Sequence, residues 1–85
     1  MIRQPTYLAP QIDVDALDFI ASHGVPPKGR GAWAFQVKGS TLDLIWTPAM
    51  TYSDAKVWVK AKVRALIASG ALPHHVDCYD VSAQP

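Results

Sequence analysis

The chain has 85 residues, 49% apolar and 18% charged, with a formal net charge of +1. That favours one folded domain over disorder, and the charge balance gives no global pull on nucleic acid or anionic lipid. The one cysteine, Cys78, excludes an internal disulfide framework, and no apolar run nears the roughly 18 residues needed to span a bilayer.

In chain order, Thr6-Tyr7-Leu8-Ala9 reads as a short edge strand bracketed by Pro5 and Pro10. Asp13 or Asp15 then opens a helix, with Asp15 and Asp18 in its positive first turns. Val14, Leu17, Phe19, Ile20 and Ala21 supply its apolar stripe, and His23-Gly24 closes it. Val25 to Gly31 is a loop, stiffened by two prolines and loosened by two glycines.

Residues 32–38 alternate as a strand, with Trp33, Phe35 and Val37 on one face. Gly39-Ser40 turns the chain into a partner strand over 41–47, with Leu42, Leu44 and Trp46 on the inner face. Residues 47–52 connect to the longest helix, which Ser53 caps and which runs from about Asp54 to Ser69 before Gly70. A last strand is expected from His75 to Val81. Residues 1–5 and 82–85 are expected to fray.

The fold expected is α+β, with order (β)-α-β-β-α-β: an antiparallel sheet of three to four strands and two helices on one face. This order overlaps only in part with the α-β-β-β-α of the double-stranded-RNA-binding domain. The expected core is Leu17, Ile20, Trp33, Phe35, Val37, Leu42, Leu44, Val59, Val63, Leu66, Ile67, Val76 and Cys78.

Four groups of residues invite a functional reading. Lys28 and Arg30 stand among the glycines of the loop, where backbone N–H groups could approach a phosphate, although the spacing matches no P-loop. Lys56, Lys60 and Arg64 fall at i, i+4 and i+8 and make a basic ridge on the long helix. Val57, Trp58, Ala61, Ala65 and Ala68 add a second apolar strip to that helix, suited to self-association or a partner. Its competing use is burial beneath the N-terminal segment or the first helix.

The fourth group is His74-His75-Val76-Asp77-Cys78, with His23 elsewhere. These are metal-ligand types, but a strand splits them between two faces and no paired Cys or His spacing is present, so no metal or cofactor is expected. The same residues make a poor Cys–His–Asp set, because no helix N-terminus lowers the thiol pKa.

No catalytic motif remains, so no enzyme activity is expected. The leading expectation is a cytoplasmic, non-catalytic protein that occupies a surface of another protein, inhibitor- or adaptor-like, with a possible homodimer and no membrane partner. Lys28, Arg30, Lys56, Trp58, Lys60 and Arg64 would bind the partner. Val57, Trp58, Ala61 and Ala65 would pair two copies. Small domains of this chemical plainness are common among proteins encoded by phages and plasmids. The alternative is nucleic-acid binding through the Lys28/Arg30 loop and the Lys56/Lys60/Arg64 ridge, against which the balanced charge counts.

Overall fold

A computed structural model describes residues 10–73 and 75–84. The expected edge strand at 6–9 lies outside the described residues, as do His74 and Pro85. The described chain is α+β, as expected. It forms β1 (Gln11–Asp15), α1 (Leu17–His23), β2 (Arg30–Gly31), β3 (Ala34–Val37), β4 (Ile45–Trp46), β5 (Met50–Thr51), α2 (Tyr52–Ala68) and β6 (Cys78–Ala83).

Four strands make the main sheet in the order β1-β6-β3-β4, and β2 pairs with β5 as a separate ribbon. The sheet is mixed rather than antiparallel, because β1 runs parallel to its neighbour β6. β3 is antiparallel to both β6 and β4.

Register explains the core. Ile12 lies opposite Tyr79, and Val14 opposite Val81. Val81 lies opposite Val37, Ala83 opposite Phe35, and Phe35 opposite Ile45. Side chains alternate along each strand, so these residues share one face. α2 covers that face with Ala55, Val59 and Val63, spaced at i, i+4 and i+8 and fully buried. Thr51 caps α2 by accepting a hydrogen bond from the Asp54 amide at 3.3 Å. The expected cap, Ser53, lies inside the helix. After Gly70, at φ 85°, the chain folds back so that Leu72 is buried against the core.

Several expectations fail for identifiable reasons. Residues 11–15 form a strand and not the start of a helix. Ile12 and Val14 alternate with Gln11, Asp13 and Asp15, and this period of two prevails over the capping signals. The helix that follows therefore starts at Leu17, and none of its residues is buried. Leu17, expected in the core, is 67% exposed, and Ile20 is exposed too.

α1 is also not beside α2. It meets the sheet at the C-terminal end of β6, where Asp18 Oδ2 accepts from the buried Ser82 hydroxyl at 3.0 Å. Ser82 points away from α2, since its neighbours Val81 and Ala83 point toward it. Ser82 and Ala83, expected to fray, are buried strand residues, and the Gln84 amide bonds the Ala34 carbonyl at 2.8 Å. The last strand correspondingly begins at Cys78 and not at His75.

The hairpin forms about Ser40, with Ala34 opposite Trp46 and Phe35 opposite Ile45. Its inner face is the reverse of the expected one. Ile45 is buried, whereas Leu44 and Trp46 are exposed. Leu42 still packs against the core, because residues 41–44 leave the ladder and need not alternate. Trp33, Leu66, Ile67 and Val76 also pack on the core, as expected.

Candidate contact surfaces

The sheet has a closed face and an open one. Register places Gln11, Asp13 and Asp15 of β1 beside Cys78, Asp80 and Ser82 of β6 on the open side, followed by Ala34 and Gln36 of β3 and Trp46 of β4. Trp46 is 61% exposed. Its ring stands beside a shallow groove of about 280 Å³ lined by Phe19, His23, Ala32, Trp33, Ala34 and Gln84.

The groove wall is tied together by ring contacts and hydrogen bonds. His23 stacks on Phe19 with ring centres 4.1 Å apart, and Phe19 leans on Trp33 at 5.8 Å. Trp33 donates its indole N–H to the Met50 carbonyl at 2.8 Å and packs edge-on against Tyr52. Thr47, buried beneath, accepts from the Trp33 amide at 3.0 Å and donates to the Pro48 carbonyl. These bonds fix the base of the hairpin and so the placement of Trp46.

Toward β1 the open face is acidic. Asp13, Asp18 and Asp80 are exposed, and Asp15 is half-buried. An ion pair joins Lys38 to Asp18 at 3.8 Å. Asp15 Oδ1 accepts from the Leu17 amide at 3.1 Å, which orients the start of α1.

Cys78, expected in the core, is exposed on this face. Its thiol donates to Asp13 Oδ2 at 3.3 Å. That bond holds the proton and raises the thiol pKa, and the charges of Asp13 and Asp80 add to the effect. A thiol held protonated is a poor nucleophile. Asp13, Cys78 and Asp80 bring one donor atom each within 4.8 Å of one another, a grouping created by the parallel pairing of β1 and β6. His75 and Asp77 precede β6, and His74 is outside the described residues.

The expected partner residues do not form one patch. On α2, Trp58 and Lys60 stand about 160° apart around the axis. Trp58 is half-buried and packs on the core. Lys56 lies 5.6 Å over the Tyr52 ring, toward the core side. Lys60 and Arg64 are exposed, as are Lys62 and the strip Val57, Ala61, Ala65 and Ala68. Val57 and Ala61 each lie two residues from buried positions, so they point directly away from the sheet, and Val57 is 70% exposed.

In the loop, β2 pairs with β5, and the Arg30 guanidinium donates to the Ala49 carbonyl at 3.3 Å. Arg30 is thereby held near the start of α2, while Lys28 is exposed. A second, open groove of about 430 Å³ lies between the hairpin tip and residues on either side of the start of β6, with Leu42, Leu72, Val76 and Tyr79 among its walls.

Compared with known proteins, the chain matches no family model, no curated sequence and no solved structure. Among the described residues, no helix is long and apolar enough to cross a membrane.

Proposed function

We propose that the chain is a small, non-catalytic, cytoplasmic binding protein that occupies a surface of another protein, as an inhibitor or adaptor does. Its contact surface is the open sheet face around Trp46. One observation carries the reading: a tryptophan 61% exposed on the edge strand of the sheet, beside a groove. An exposed indole gains by burial in a partner, and tryptophans are among the commonest anchors of protein interfaces.

The test is affinity capture of a tagged chain from its source cells, with the captured protein then purified and titrated directly. Wild type should bind one defined protein, and Trp46→Ala should weaken that binding at least about 30-fold, the effect of losing roughly 2 kcal/mol at a hot spot. Equal affinity of the two forms would refute the role of this face.

A second reading, nucleic-acid binding, is favoured by the cations of α2, where Lys60, Lys62 and Arg64 are exposed and no carboxylate follows Asp54 within the helix. It predicts affinity for mixed-sequence DNA that falls with salt at a log–log slope of about −0.9 per phosphate contact. Lys28, Arg30, Lys56, Lys60 and Arg64 would supply those contacts.

A further inference from the structure

The outer face of α2 and the open face of the sheet lie on opposite sides of the molecule, since α2 packs on the closed face. They also carry opposite charge. The helix face presents Lys60 and Arg64, both exposed and one turn apart. The sheet face presents Asp13, Asp15, Asp18 and Asp80, with Lys38 the cation paired to Asp18.

We infer that copies of the chain assemble head to tail, the outer face of α2 in one docking on the open sheet face of the next. The inference rests on the reading that the Trp46 face is a contact surface, and names a second copy as an occupant.

Spacing supports the fit. Lys60 and Arg64 are separated by about 6 Å along the helix axis. Asp13 and Asp15 are separated by about 6.7 Å along β1, with Asp80 one strand away at about 4.8 Å. The apolar parts match as well. The strip Val57, Ala61 and Ala65 adjoins the cations on the helix, and the exposed Trp46 of β4 occupies the far edge of the acidic sheet. Alanines let the second backbone approach closely.

The same charges argue against a two-fold pair of α2 helices. Such a pair is self-complementary, so it sets Lys60 and Arg64 of one copy against those of the other. Opposed like charges cost free energy, whereas the head-to-tail contact sets them against carboxylates. A contact between two different faces does not close by itself, so assembly should grow with concentration.

Sedimentation of the full chain tests this. At low salt the average mass should rise above the 9.3 kDa monomer with concentration. At about 1 M salt, where the screening length is about 3 Å, it should fall back. Two charge-reversed variants sharpen the test: Lys60→Glu/Arg64→Glu, and Asp13→Lys/Asp80→Lys. Each alone should be monomeric, with its fold checked by circular dichroism. Mixed one to one they should assemble again, because each acidic helix then meets a basic sheet. Trp46→Ala should weaken assembly at least tenfold.

Three results would overturn the inference: a wild type that stays monomeric at low salt, a species that stops at twice the monomer mass, or variants that fail to rescue each other. A monomer whose other protein partner still depends on Trp46 would end head-to-tail assembly and leave the binding reading standing. Assembly that passes the swap test, with partner affinity indifferent to Trp46, would do the reverse.

Discussion

The two faces of the main sheet are built from the same strands and the same alternation, yet they meet different surroundings. The closed face lies under the 17-residue α2 and is lined by buried apolar residues from all four strands. Among the described residues, the open face is met by the seven-residue α1 at one end, through the Ser82–Asp18 hydrogen bond, the Lys38–Asp18 ion pair and the Phe19 ring. The difference teaches that burial here follows the covering element, and not hydrophobicity alone. Ile45 and Trp46 are neighbours in one strand; the first is buried and the second exposed.

The comparison is broken most severely on the closed face. Phe35→Ala should cost about 3–5 kcal/mol, because the ring is fully buried between β6, β4 and Tyr52. A domain of this size has about 4–13 kcal/mol in total, so a large drop in denaturant midpoint is expected. Trp46→Ala, on the open face, should move the midpoint by less than about 1 kcal/mol. A comparable loss in both would show that the open face is structural.

Ser82→Ala tests the hydrogen bond that, with the Lys38–Asp18 ion pair, seats α1 on the open side. Loss of a hydroxyl bonded to Asp18 and Asp15 should cost about 1–2 kcal/mol in urea unfolding. An unchanged midpoint would mean that α1 is held by other contacts. Tyr52→Phe should have the opposite sign. The Tyr52 hydroxyl is buried with no hydrogen-bond partner among the described residues, so removing it should be neutral or stabilise by up to about 1 kcal/mol.

The smallest effect is chemical. Asp13 holds the Cys78 proton, so alkylation of the native thiol near pH 8 should be slow. Asp13→Asn removes the acceptor charge, lowers the thiol pKa and should speed the reaction. An unchanged rate would show that Asp13 does not control the thiol.

Much of the architecture was legible in the sequence. The alternation of Phe35 and Val37, the turn at Gly39-Ser40 and the spacing of Val59 and Val63 each carried one clear period. What failed did so where two patterns overlapped. Residues 11–15 alternate with period two, but their aspartates also look like helix caps. Residues 42–46 are apolar on both parities, so only the pairing of Phe35 with Ile45 decides which side is inside. That one-residue choice hid Trp46 as the exposed aromatic and drew attention to Trp58, which the fold half-buries. The grouping of Asp13 with Cys78 and Asp80 depends on a parallel pairing between chain ends, which no local signal announces.

The two tryptophans allow the most direct test of the account. Trp46→Ala and Trp58→Ala should be measured side by side, each for melting temperature and for affinity toward the captured protein partner. Trp46→Ala should melt close to wild type and bind at least about 30-fold more weakly. Trp58→Ala should melt lower, because its ring packs on the core, and keep its affinity below the melting transition. The reverse pattern, with binding lost through Trp58 and untouched by Trp46, would contradict the assignment of the open sheet face as the contact surface.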